Sequence, residues 1–256
     1  MIGIYFSGSG NTAYAINCFV HLIDAQAKVL SIENPQIEQA IKEEEEIVLA
    51  YPIYYSNLPK IMREFLKNHQ TLFHGKKVFI IATMGLFSGD GCGCSARLLA
   101  SYGANILGGL HLQMPDCIAD EKALKRPYEK NLALIQHAEE KIKEGAKRYQ
   151  QGNYTREGLG IWYHLAGLFG QRLWFYGKTK HYSDQLRINT DACIGCGHCA
   201  SICPMQNLEI IQHTAVAKNR CTMCYRCVNA CPSQAITLLG KKVMEQHTIK
   251  KYRQNT

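Results

Sequence analysis

No apolar run in this sequence approaches the roughly 18 residues that a membrane span needs, and no basic region precedes the short apolar stretch Ile2–Phe6. Neither a spanning helix nor a secretory signal is expected, and the reading is a soluble, cytoplasmic protein. Prolines number only 7 and glycines 21, which excludes a collagen-like or low-complexity chain. No Lys follows the N-terminal glycines and no G-x-G-x-x-G is present, so neither a Walker loop nor a dinucleotide fingerprint is encoded. Charge is modest, at 20%, beside 46% apolar residues. That is ordinary globular composition, and 256 residues suffice for one large domain or two modest ones.

Cysteine is what the chain has in excess. There are 12, far too many residues apart for a small disulfide scaffold. Eight fall into two groups. The first reads Cys193-Ile-Gly-Cys196-Gly-His-Cys199-Ala-Ser-Ile-Cys203-Pro204, and the second Cys221-Thr-Met-Cys224-Tyr-Arg-Cys227-Val-Asn-Ala-Cys231-Pro232. Both are C-x2-C-x2-C-x3-C-P, repeated at an offset of 28 residues. Three thiolates at intervals of three embrace one cubane from a single loop, and the fourth, past a turn, serves the other cluster. Cys193, Cys196, Cys199 and Cys231 are therefore expected to hold one [4Fe-4S] cluster, and Cys203, Cys221, Cys224 and Cys227 the second. Zinc is the competing reading, but a tetrahedral zinc site has no use for the recurring third cysteine and trailing Cys-Pro. His198 lies inside a cluster loop and is not needed as a further ligand. Ile194, Ile202, Val228 and Ile236 are placed to exclude water.

The net charge of +8 is unevenly distributed. Residues 1–150 hold 16 Lys and Arg against 16 Asp and Glu, whereas residues 151–256 hold 13 against 5. Two cubanes with their thiolates each contribute about −2 and roughly halve the excess. The remainder reads as solubility or a docking surface for an acidic partner, not as a nucleic-acid signal.

The first 150 residues alternate strand and helix patterns. Strands are expected over 2–6, 28–32, 47–51, 78–83 and 106–112. Helices are expected over 12–23, 36–42, 59–66 and 92–102, with one long amphipathic helix from Leu124 to Tyr149. Five strands alternating with helices predict an α/β fold with a doubly wound parallel sheet. A Gly- and Trp-rich linker (153–183) follows, readable as interdomain packing, a partner or membrane-surface contact, or part of a pocket. Then come a small α+β cysteine domain (184–240) and a loosely attached basic tail (241–256); the first domain is 1–152.

Strand one ends in Ser7-Gly8-Ser9-Gly10-Asn11-Thr12 and passes into a helix. Converging N–H groups, hydroxyls and the helix dipole suit a phosphate there. A loop with Pro52, Tyr54 and Asn57 follows strand three, and one with Thr83, Gly85, Phe87, Gly89 and Asp90 follows strand four. Ligands of open parallel sheets gather at such strand ends, and these loops suit a flat ring stacked on Tyr54 or Phe87.

The S-x-S-G-N-T turn closely resembles the T-x-T-G-x-T phosphate loop of flavodoxins. Residues 1–150 look like a flavodoxin domain, residues 184–240 like a bacterial two-[4Fe-4S] ferredoxin, and the whole resembles flavodoxin–ferredoxin fusion proteins. The resemblance implies FMN, with its phosphate at Ser7, Gly8, Ser9, Gly10, Asn11 and Thr12. Its ring would lie against Pro52, Tyr54 and Asn57 on one side and Thr83, Gly85, Phe87 and Asp90 on the other. A Gly peptide at Gly85 or Gly89 would sit near flavin N5, and Asp90 is alternatively a helix cap. Free flavodoxins are acidic whereas this half is neutral, and the 153–183 linker belongs to neither single-domain family. Cys92 and Cys94, at a helix start, read as redox groups or buried apolar residues; Cys18 and Cys117 read as buried.

The expected function is electron transfer between the clusters and FMN, linking one-electron and two-electron partners, with no residue acting as an acid or base. The alternatives are a flavin-dependent reductase of a small substrate, with Tyr54, Tyr55, Trp162 or Trp174 over the ring, and a redox-sensing module. Expected partners are redox proteins, acidic ones among them, and further copies of the chain.

Overall fold

The computed structural model describes residues 1–54, 57–86, 89–169 and 185–253. They fall into two units. Among the described residues the first holds 1–7, most of 11–115 and 128–169, and the second holds 8–10, 116–127 and 185–253.

The first unit is a five-stranded parallel sheet of β1 (Ile2–Tyr5), β2 (Lys28–Ser31), β3 (Glu46–Pro52), β4 (Lys77–Met84) and β5 (Asn105–Gln113) in the order β2-β1-β3-β4-β5. Every strand bound falls within one residue of expectation. Helices α1 (Asn11–Ile23), α2 (Ile37–Glu43), α3 (Lys60–Asn68), α4 (Gly91–Ser101) and α5 (Tyr128–Gln150) connect and flank the strands. The order reverses between β1 and β3, so right-handed crossovers send helices to opposite faces. That explains the continuous apolar runs. Ile47–Tyr51 and Val78–Ala82 are fully buried because both faces of the central strands are covered. Each buried Val, Leu, Ile or Phe among them contributes about 1.5–3 kcal/mol. On one face Phe19 of α1 stacks on Phe79 of β4 at 5.1 Å, and Tyr149 of α5 meets Phe79 edge-on at 5.4 Å.

Three expectations are corrected. The long helix starts at Tyr128, and Leu124 lies in a separate 3-10 turn, Lys122–Leu124. Pro127 explains this, because it disfavours helical backbone at Arg126. Secondly, part of the expected linker packs against the first unit. Gly109 N–H donates to the Thr155 carbonyl (2.8 Å) and Glu157 N–H to the Gly109 carbonyl (2.9 Å). Gly108 and Gly109 permit this approach, since a Cβ at Gly109 would stand 2.6 Å from the Glu157 carbonyl. Helix α6 (Ile161–Gly167) follows. The rest of the linker, including Trp174, Lys178 and Lys180, lies outside the described residues.

Among its described residues the second unit holds two antiparallel pairs, β6 (Arg187–Ile188) with β9 (Ile236–Thr237) and β7 (Leu208–Ile211) with β8 (Thr214–Ala217), and two short helices, α7 (His198–Ser201) and α8 (Arg226–Ala230). Here the third correction falls: the tail is docked. Ile249 is 3% and Tyr252 7% exposed, Met244 N–H donates to the Ala119 carbonyl (2.8 Å), and the Gln246 amide donates to the carbonyls of Val228 (3.0 Å) and Cys231 (2.7 Å). Its basic residues mask two apolar anchors too few to register as a pattern. Residues 116–127 also group with this unit. The Asp120 carboxylate, 4% exposed, accepts from Tyr225 Oη (2.9 Å), Leu238 N (2.6 Å) and Leu239 N (3.0 Å).

Candidate functional site: two cysteine cavities and a phosphate loop

Among the described residues of the second unit, one cavity is lined by Cys203, Cys221, Cys224 and Cys227, with Leu186, Leu208, Val228 and Leu238. Another is lined by Cys193, Cys196, Cys199 and Cys231, with Ile194, Ile210 and Ile236. The eight cysteines thus sort into two sets of four, each with three from one motif and one from the other. Among the described residues no three His, Cys, Asp or Glu side chains are gathered for a single metal ion. The cysteines instead line two separate spaces with apolar walls.

Backbone geometry repeats with the motif. Gly195 (φ +66°) corresponds to Met223 (+60°), Gly197 (+75°) to Tyr225 (+58°), and Gln206 (+48°) to Gln234 (+53°), each pair 28 residues apart. Left-handed residues turn N–H groups toward the enclosed space. Amides also point at sulfur: Asn207 N to Cys203 Sγ (3.2 Å), Ala235 N to Cys231 Sγ (3.3 Å), Met223 N to Cys221 Sγ (3.3 Å) and Ala215 N to Cys193 Sγ (3.5 Å). Such donors stabilise thiolates and tune a bound metal. Burial pushes the thiols of Cys199 and Cys227 up and that of Cys224 to about 12, so cations would have to compensate their deprotonation. The donor set, spacing and apolar walls fit iron–sulfur clusters. The cavities differ in exposure: Cys196 is exposed and Ile194 66% exposed, whereas Cys224 and Cys227 are buried.

At the end of β1, residues 7–12 form the turn into α1. Ser7, Ser9, Asn11 and Thr12 are buried, Gly10 takes φ +92°, and the first turn of α1 carries no acidic residue. The helix amides therefore face no competing carboxylate of their own, as an anion requires. Two predicted side-chain donors are otherwise engaged. Asn11 Nδ2 donates to the Pro115 carbonyl (2.8 Å), and the Thr12 and Thr83 hydroxyls meet at 2.7 Å. Both shape the loop, so its backbone N–H groups are what it would offer a phosphate. The Thr12–Thr83 pair also ties the first loop to the end of β4.

The other loops are held by their own bonds. Tyr54 and Asn57 exchange backbone hydrogen bonds (3.1 and 3.0 Å), and Asn57 Oδ1 accepts from Leu58 N (2.9 Å) and Arg63 Nη2 (2.6 Å). Pro52 ends β3, the Gly85 carbonyl accepts from Gln113 Nε2 (3.0 Å), and Gly89 takes φ +53°. Asp90 is completely buried at the start of α4. Its carboxylate does not cap that helix; it pairs with Arg97 Nη2 (2.6 Å) and His164 Nδ1 (2.8 Å). Phe87 and Tyr55 lie outside the described residues. Trp162 is 79% exposed on α6 and lines no cavity described here.

The remaining cysteines divide. Cys92 is fully buried, and burial holds its thiol well above the ordinary range, as it does that of Cys117. Such thiols are unreactive. Cys94 is half-buried with its Sγ 3.7 Å from Asp90 Oδ1.

Comparison with known proteins agrees with this division. Residues 2–91 match the family model of a flavodoxin domain, and residues 185–232 match that of a 4Fe-4S dicluster domain. The chain joins an N-terminal flavodoxin domain to a C-terminal 4Fe-4S dicluster domain. Among solved structures it is similar to the two-electron reduced flavodoxin of Megasphaera elsdenii (18% identity, 57% of this chain and 99% of that one, TM-score 0.40). It is also similar to the Fusobacterium nucleatum flavodoxin bound to flavin mononucleotide (16%, 59% and 96%, TM-score 0.40). No curated protein matches the chain.

Proposed function

We propose that this chain is a cytoplasmic iron–sulfur flavoprotein that relays electrons between two [4Fe-4S] clusters and FMN, connecting one-electron to two-electron redox partners. The observation that carries the reading is the sorting of eight cysteines into two interleaved sets of four around separate cavities. Cys193, Cys196, Cys199 and Cys231 would hold one cluster and Cys203, Cys221, Cys224 and Cys227 the other. FMN would bind with its phosphate at residues 7–12 and its ring among Pro52, Tyr54, Asn57, Thr83, Gly85, Phe87 and Gly89. Asp90 is assigned to positioning, because its carboxylate serves Arg97 and His164. When bound, the flavin supplies exchange between two-electron and one-electron chemistry. The protein's part is to hold the phosphate, wall off water around the sulfurs and aim amides at them.

Exposure of Cys196 and Ile194 supports the first cluster as the port for an external one-electron partner. Anaerobic reconstitution tests the proposal. The purified chain should hold one FMN and about eight irons, and reducing the clusters should bleach the flavin. Material that lacks either cofactor, or whose flavin stays oxidised beside reduced clusters in every assembly state, would refute it.

A further inference from the structure

Residues 8–10 are joined by sequence to the first unit and packed in the second. Inside that second unit, four contacts converge on them. A Cβ at Gly8 would overlap the carbonyl of Cys224, which leaves glycine as the residue that fits. The Ser9 side chain hydrogen-bonds the Cys117 thiol, which lies within electrostatic reach of Cys224. The Ser9 carbonyl accepts from Ile249 N (3.0 Å). At Gly10 a Cβ would stand 2.5 Å from Ile249 Cγ2. Cys117 is anchored in turn, its carbonyl accepting from Asn229 Nδ2 (2.9 Å) on α8. The tip of the phosphate loop is thus moulded on one side by a cluster-ligand loop and on the other by the docked tail.

We propose that residues 8–10, at the tip of the phosphate loop, and the loop bearing Cys224 form one packed assembly within the second unit, so that filling the Cys203/Cys221/Cys224/Cys227 cavity strengthens binding of the FMN phosphate, with Gly8 the positioning residue that couples them. This rests on the functional reading above. A cluster held by the Cys224 sulfur would restrain the Cys224 carbonyl, against which Gly8 packs. An ordered tip presents its amides without the ordering cost that an unfilled cluster loop imposes. Coupling is reciprocal, so FMN must stabilise the same cluster by the same factor.

The test titrates FMN, and separately riboflavin, into the full-length chain with its clusters reconstituted and again after iron chelation. Typical coupling energies predict FMN binding at least about 10-fold tighter with clusters present. Riboflavin, which has no phosphate, should change by less than about 2-fold. In Gly8→Ala the FMN ratio should collapse towards one. The EPR spectrum of one reduced cluster should also lose the shift that FMN binding produces in the unaltered protein. If Gly8→Ala does not fold, Ile249→Ala, which frees the other side of the tip, should shrink the ratio.

Equal FMN affinity with and without clusters would overturn the coupling while leaving the functional reading intact. Equal losses of FMN and riboflavin would also overturn it, since chelation would then be disrupting more than the phosphate loop. A chain that takes up no FMN or no iron would overturn both.

Discussion

At the scale of single residues, Cys231 makes the sharpest test of the interleaved ligand sets. It sits in the second motif but lines the cavity of the first three cysteines. Cys231→Ser should therefore cut iron from about eight to about four per chain, and EPR should show that the surviving cluster is the one assigned to Cys203, Cys221, Cys224 and Cys227. Pairing within each motif would instead spare the Cys193 cluster. His111 makes a second test, in a region independent of iron. Burial pushes it down to about 4, Glu157 opposing and Lys141 reinforcing, and its Nε2 accepts from Cys92 N at 3.3 Å. The folded imidazole binds its proton more weakly than an unfolded one, whose pKa is about 6.5. Its contribution to stability is therefore complete above about pH 6.5 and lost as pH falls from there towards about 4. Urea midpoints should decline over that window, and His111→Gln should flatten the decline. The cluster cysteines were legible because their chemistry is local and repeats. Asp120 was not, because nothing near it in sequence indicates that Tyr225 and the amides of Leu238 and Leu239 converge on its carboxylate.

At the scale of elements, strands announced themselves most clearly where both faces are covered, as in Ile47–Tyr51. The hydrophobic period runs back to Leu124, but α5 starts at Tyr128 because Pro127 holds Arg126 out of the helical region. The tail illustrates a different failure: two apolar anchors among lysines carry no period, yet Ile249 and Tyr252 are buried. Ile249→Ala should cost about 2–5 kcal/mol, the usual range for truncating a buried isoleucine, read as a lower denaturation midpoint of the cluster-loaded protein. At the junction of α1 and β4, Thr83→Val should cost about 1–3 kcal/mol by stranding the buried Thr12 hydroxyl, and should weaken FMN binding through a looser loop. The repeat itself extends beyond the cysteines. Gln206 and Gln234 are identical residues at the same offset and share left-handed backbone, a signal present in the sequence and visible only when the alignment is carried past the prolines.

At the scale of the whole molecule, the charge imbalance makes the remaining prediction. The excess of Lys and Arg lies entirely in residues 151–256. If acidic proteins are its one-electron partners, raising salt from about 50 to about 300 mM should slow electron exchange with such a partner by about tenfold or more, as steered encounters do. A neutral small-molecule donor should be unaffected. The sequence by itself determined the chemistry: thiolate spacing selects clusters over a lone ion, a Ser/Gly turn before a helix offers amides to a phosphate, and unbroken apolar runs require a sheet covered on both sides. Each of those depends on residues within a few positions of one another. Only the tertiary structure decided that Asp90 spends its carboxylate on Arg97 and His164, that Asp120 gathers Tyr225 and the amides of Leu238 and Leu239, and that residues 8–10 lodge against Cys224 and Ile249. Such pairings join residues tens to hundreds of positions apart, and packing selects them by shape, which leaves no periodic trace along the chain.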